Sequence, residues 1–73
     1  MNSRKLEICC YSVLSCQYAE AGGADRIELC AGMPEGGVTP GYGMVKAALE
    51  RGDIPVYLLV RPRGGDFFFN ATE

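Results

Sequence analysis

The sequence predicts an α/β fold, a parallel β-α-β-α-β unit that opens, but does not close, a TIM-like barrel. Three observations point there. Short apolar segments alternate with amphipathic stretches of about ten residues, the pattern of βαβ crossovers with parallel strands. Val56-Tyr57-Leu58-Leu59-Val60 is a continuous apolar run, which suits a strand covered on both faces. Two earlier segments each carry a Glu-x-Cys triplet, Glu7-Ile8-Cys9 and Glu28-Leu29-Cys30, and a polar inward row of that kind is at home in a barrel interior. At 73 residues the chain is about half of a typical domain of roughly 150, so a single partial domain is expected over the whole length.

The first strand is expected at about 6–10, where Leu6, Ile8 and Cys10 alternate with Glu7 and Cys9. A helix follows over about 12–21, with Ser12 as its cap and Leu14, Tyr18 and Ala21 along one face. Gly22-Gly23 stops it, because glycine accepts the left-handed conformation past a helix end. The second strand is expected at about 26–30. A loop with Gly32, Pro34, Gly36 and Gly37 then leads to Thr39-Pro40, read as N-cap and first residue of a helix over about 40–51. Tyr42, Val45 and Leu49 mark its inward face, with Met44 and Ala48 beside it, and Gly52 ends it. The third strand is expected at about 56–60.

Composition narrows the chemistry. Hydrophobic residues make up 48% and charged residues 22%, a globular balance. Seven Lys+Arg against nine Asp+Glu give a net charge of −2, which recommends neither nucleic acid nor an anionic membrane as partner. No apolar run approaches the roughly 18 residues of a membrane span, and the segment Met1 to Ile8 lacks the apolar stretch of a secretory leader. There is no histidine, which removes Ser–His–Asp, Cys–His and HExxH chemistry from this chain. The four cysteines, Cys9, Cys10, Cys16 and Cys30, allow three disulfide pairings. The adjacent Cys9-Cys10 pair and the missing leader favour reduced thiols in the cytoplasm.

Side chains two apart on a strand share a face, so Glu7 points with Cys9, and Glu28 with Cys30, away from the apolar rows that meet the helices. Continuing that phase puts Tyr57, Leu59 and Arg61 on the same side, with Arg61 beside Glu7 or Glu28. Two readings follow. Glu7, Glu28 and Arg61 form a catalytic set at the strand ends, with Glu7 or Glu28 as acid or base on a small anionic substrate. Alternatively, Glu7, Glu28, Arg61 and Arg63 are a charge-balanced network that fills the barrel mouth. The segment Arg61-Pro62-Arg63-Gly64-Gly65-Asp66 offers an anion site in Arg61, Arg63, Gly64, Gly65 and Asp66, because successive N–H groups in a Gly-Gly turn can cradle an anion. Its bland counterpart is a connecting loop with Asp66 at a cap or turn. Phe67-Phe68-Phe69 reads as packing, and neither GxGxxG nor GxxxxGK[ST] occurs.

Taken together, Leu6-Glu7-Ile8-Cys9, Gly23-Ala24-Asp25-Arg26-Ile27-Glu28-Leu29-Cys30, Glu35-Gly36-Gly37-Val38-Thr39-Pro40, Ile54-Pro55-Val56 and Arg61-Pro62-Arg63-Gly64-Gly65-Asp66-Phe67 resemble the N-terminal portion of the copper homeostasis protein CutC family. The resemblance runs from Leu6 to about Phe69. It implies a TIM-like (β/α) barrel, a cytoplasmic copper-binding protein that is often dimeric, and Cys9 and Cys30 as Cu(I) ligands. It places Glu7, Glu28, Arg61, Arg63 and Asp66 at the barrel mouth. Cu(I) is soft and prefers thiolate, and two thiolates suffice for it. The same cysteines are also readable as small buried hydrophobes. One departure stands out: a closed eight-stranded barrel takes about 200 residues or more, whereas three strands are expected here. Either the chain is a fragment of a longer product, with or without function of its own, or its open strand edge is covered by association, as in a homo-oligomer.

Overall fold

The structure, a computed structural model, describes residues 4–73; of the N-terminal segment read for a leader, residues 1–3 lie outside the described residues. The elements follow as β1 (Glu7–Cys10), α1 (Val13–Ala21), β2 (Arg26–Leu29), a 3-10 turn (Met33–Glu35), α2 (Tyr42–Arg51) and β3 (Val56–Leu58). The three strands make one sheet in the order β1-β2-β3, parallel at both junctions. The chain is therefore an open parallel β-α-β-α-β unit. The strands are shorter than the apolar runs suggested, but the hydrogen bonding continues past their ends. Cys30 N–H donates to the Cys10 carbonyl at 2.9 Å, and Leu59 N–H to the Leu29 carbonyl at 3.1 Å.

Register explains the core. Ile8 stands opposite Ile27, which stands opposite Val56, while Cys10 aligns with Leu29 and Leu58. This apolar row is the side against which the helices pack. Ile27 and Leu29, on the central strand, are 1% and 0% exposed, and burying two such side chains contributes about 1.5–3 kcal/mol each. Cys10, Cys16, Ala24 and Ala48 complete the buried cluster, with Ile8, Val13, Met44 and Val45 half-buried around it.

Helix α1 turns a different face inward from the one its larger apolar residues mark, and α2 buries only part of the face expected of it. Helix α1 is capped as expected, the Ser12 hydroxyl accepting from the Ser15 N–H at 3.0 Å. It ends at Gly22, with Gly23 at φ +102° supplying the left-handed step. Yet Leu14 and Tyr18 are 56% and 71% exposed, and the buried residue is Cys16. In α2 the contact is made by Ala48, flanked by Met44 and Val45, while Tyr42 and Leu49 are exposed. Small side chains at the contact let a helix approach the sheet closely, and the larger apolar groups fall on the outer side. The N-cap of α2 is Gly41, not Thr39. The Thr39 hydroxyl instead accepts from the Arg61 N–H at 2.7 Å, and Thr39 N–H donates to the Arg61 carbonyl at 2.9 Å. The loop before α2 is thereby tied to the segment that leaves β3.

Candidate metal centre

The face away from the helices carries the polar row. The two Glu-x-Cys strands do not align like for like. Glu7 stands opposite Arg26, and Cys9 opposite Glu28, which in turn faces Tyr57. A stagger of two residues keeps every side chain on its own face, because the strand period is two. It also separates the two carboxylates along the sheet and sets Cys9 beside Glu28, with Cys30 just past the end of β2.

Three donor atoms converge there. The Cys9 and Cys30 sulfurs lie 3.3 Å apart, and the Cys30 sulfur lies 3.8 Å from Glu28 Oε1. All three ligand atoms fall within 4.8 Å of one another. No cysteine is in a disulfide, so the sulfurs meet as thiols. Cys9 is exposed and Cys30 is buried, so the pair has one side open to an incoming ion and one side withdrawn from water. Burial pushes the Cys30 thiol up to about 12, helped by its hydrogen bond to Cys9 and the charges of Cys9 and Glu28. At neutral pH it holds its proton.

Two neighbours were not singled out from sequence. The Cys9 side chain beside the Tyr11 hydroxyl raises the phenol above its ordinary value. Gly37 sits at φ +102°, where a Cβ would meet Leu59 Cδ2 at 2.9 Å, the Tyr11 hydroxyl at 3.4 Å and the Cys30 Cβ at 3.9 Å. The backbone of the glycine loop therefore lies against Leu59, Tyr11 and the Cys30 methylene, and only glycine fits. Tyr11 continues the alternation of Glu7 and Cys9 by one more step, a signal that period two did offer. The loop contact has no such signal.

The charged residues distribute differently from expectation. Glu7 is paired with Arg26 at 2.7 Å, not with Arg61. The Arg26 guanidinium also lies 5.2 Å from the centre of the Tyr57 ring. Both partners of this ion pair are over a third exposed, so it is worth little. Arg61 directs its guanidinium at backbone carbonyls: Nη1 donates to Glu35 at 2.8 Å and Gly37 at 2.9 Å, Nη2 to Gly65 at 2.9 Å. It lies 4.8 Å from the centre of the Phe67 ring, and its Nε is buried without a partner. Arg63 donates to Glu73, to the Phe68 carbonyl at 2.7 Å and to the Gly64 carbonyl at 3.2 Å, with Asp66 at 3.4 Å. Its guanidinium lies against the Phe69 ring, and Glu73 holds it above its ordinary value. Asp66 accepts from the Phe68 N–H at 3.0 Å, the main reason its carboxyl lies below the usual range. The structure thus brings together Cys9, Cys30 and Glu28. It sets Glu7 with Arg26, and gathers Arg61, Arg63, Gly64, Gly65 and Asp66 into a hydrogen-bonded tail.

Cys10 and Cys16 belong to the opposite side of the sheet. Both are buried in the core, and burial pushes the Cys10 thiol up to about 11, with Cys16 adding to the shift. They behave as small apolar side chains.

Comparison with known proteins matches residues 4–73 to the sequence model of the CutC family. A CutC family protein of Pectobacterium atrosepticum is 62% identical over 69 residues, which cover 94% of this chain and 27% of that protein. Its counterparts in Serratia proteamaculans and Yersinia pestis are 55% and 56% identical over the same shares. The chain therefore spans about a quarter (27%) of the length of the curated relatives it matches.

Proposed function

We propose that this chain, which belongs to the CutC family, takes part in copper homeostasis by binding Cu(I) between the thiolates of Cys9 and Cys30. The observation that carries the reading is the 3.3 Å approach of the two sulfurs at the carboxyl ends of neighbouring parallel strands. Residues 21 positions apart in sequence form a chelate only because the sheet brings them together. The donor set fits the ion: thiolate is the soft ligand that Cu(I) selects, and two of them suffice. The exposed Cys9 gives access and can turn about its own Cα–Cβ bond to widen the pair, while the buried Cys30 supplies a thiolate shielded from water.

Ligation requires both thiols to give up their protons. Cys30, held up to about 12, releases its proton only in exchange for the metal. Copper is cargo here, so the chain's own work is to hold two sulfurs in reach of one ion. The acid–base reading on a small anion rests on guanidinium donors, and those of Arg61 and Arg63 are engaged by carbonyls and carboxylates of their own segment. On the copper reading the three strands open a TIM-like barrel in the cytoplasm. The outer edge of β3 is met either by further strands of a longer product or by association with a second copy, since bare strand edges invite pairing.

The test is an anaerobic competition titration of Cu(I) against a chromophoric Cu(I) chelator. Cys9→Ser and Cys30→Ser lower the affinity by at least ~100-fold, because removing either ligand leaves a single thiolate. Cys16→Ser, on the far side of the sheet, leaves it unchanged. Log affinity rises by at least about one unit per pH unit between pH 6 and 8, the signature of the Cys30 proton being displaced. Equal affinity in the wild type and Cys30→Ser would remove the thiolate site.

A further inference from the structure

The copper reading uses two sulfurs and leaves Glu28 idle. Glu28 is nonetheless the third member of the cluster: it faces Cys9 across the β1–β2 ladder and has Oε1 3.8 Å from the Cys30 sulfur. We infer that Cys9, Cys30 and Glu28 together form a three-ligand site for a borderline divalent cation of the zinc class, with a fourth position open to solvent.

Geometry supports it. With metal–sulfur bonds of ~2.3 Å and metal–carboxylate bonds of ~2.1 Å, tetrahedral coordination separates two sulfurs by about 3.8 Å, and a sulfur from an oxygen by about 3.6 Å. The Cys30–Glu28 separation of 3.8 Å already matches. The sulfurs, at 3.3 Å, need to part by only about half an ångström. A linear two-sulfur arrangement on the same bond length asks for about 4.6 Å, a larger movement. Charge agrees. Two thiolates and a carboxylate carry three negative charges, which a divalent ion reduces to one and a monovalent ion only to two. The donor types agree as well, since zinc takes sulfur and carboxylate oxygen together, whereas Cu(I) selects sulfur. The exposure of Cys9 leaves room for water in the fourth position, as in sites where zinc keeps three protein ligands.

This site shares the thiol pair with the copper reading but does not depend on copper. The experiment titrates the reduced 73-residue chain with Zn(II) alone by calorimetry, and separately with Cu(I) under chelator competition. Glu28→Gln keeps the size of the side chain and removes the charge. It weakens Zn(II) by at least ~10-fold and changes Cu(I) by less than ~3-fold, because only the divalent ion uses the oxygen. Glu28→Asp, which retains the carboxylate on a shorter arm, falls between wild type and Glu28→Gln for Zn(II). Cys9→Ser weakens both ions. Co(II) substituted at the site gives the intense visible bands of a tetrahedral thiolate complex in the wild type, and these weaken in Glu28→Gln, while circular dichroism confirms that each variant is folded. Failure of the wild type to bind Zn(II) at one equivalent overturns the inference, as does a Glu28→Gln loss no larger for Zn(II) than for Cu(I). If Zn(II) binds with this Glu28 dependence and Cu(I) does not bind, the inference stands and the copper reading falls.

Discussion

Replacing Arg61 with methionine keeps the aliphatic stem of the side chain and deletes its donors. The cost follows from its contacts. The bond to the Gly37 carbonyl is part-buried, and a charged hydrogen bond of that kind contributes about 1.5–3 kcal/mol. The bonds to Glu35 and Gly65 are exposed, so water replaces them at about 0.5 kcal/mol each. Stacking on Phe67 at 4.8 Å adds about 0.5–1 kcal/mol. Against this, the buried Nε has no partner, and removing it returns about 1 kcal/mol. The backbone link between Thr39 and Arg61 survives the substitution. The net expectation is a loss of about 2–4 kcal/mol. In urea, with a slope near 1 kcal/mol per molar for a chain this small, the midpoint followed by far-UV circular dichroism falls by about 2–4 M. Arg63→Met, which gives up exposed bonds, shifts the midpoint less than Arg61→Met. A chain of marginal stability is measured for all variants in a fixed concentration of a stabilising osmolyte. A midpoint shift below about 0.5 M for Arg61→Met, or a larger shift for Arg63→Met, would refute the view that Arg61 clips the glycine loop to the end of β3.

Two further outcomes follow from the core. Leu29→Ala, at a position 0% exposed on the central strand, costs about 3–4 kcal/mol through lost burial and the cavity left behind, and thermal melting shows it; a loss under 1 kcal/mol contradicts the packing described. Stability also falls in alkali. Cys10 and Cys30 keep their protons in the folded chain up to about 11 and about 12, against a reference of 9.0, so the stabilisation is complete below pH 9. As pH rises from 9 through the folded values, the unfolded chain ionises first, and each thiol removes about 1.4 kcal/mol per pH unit. Urea midpoints at pH 8 and pH 10.5 measure this, and Cys30→Ala removes that thiol's share.

What sequence could reveal divides along physical lines. Period-two alternation gave the two faces of β1 and β2 correctly, because it depends only on the backbone: Cys10, Ile27 and Leu29 face the helices, and Cys9 and Glu28 face away. The Ser12 cap is likewise local chemistry. The helix faces were legible only in part, since Met44, Val45 and Ala48 meet the core as read. Leu14, Tyr18, Tyr42 and Leu49 hold the larger apolar groups, yet Cys16 and Ala48 make the closest contacts. Periodicity shows that an apolar stripe exists, and which stripe meets a given sheet is settled by how closely the helix can pack. Register was the other blind spot. The two Glu-x-Cys triplets look as if they align, but the ladder staggers them by two, which gives Glu7 to Arg26 and Glu28 to Cys9. The fate of Arg61 was hidden for the same reason, since carbonyls of Glu35, Gly37 and Gly65 become acceptors only after two loops have folded against each other.

X-ray absorption at the copper edge of the Cu(I)-loaded chain tests the central claim most directly, because it counts the atoms bound to the metal. Two sulfur neighbours in the wild type, reduced to one in Cys30→Ser and unchanged in Cys16→Ser, are the predicted result. A first shell of nitrogen and oxygen alone, or a sulfur count indifferent to Cys30, contradicts it.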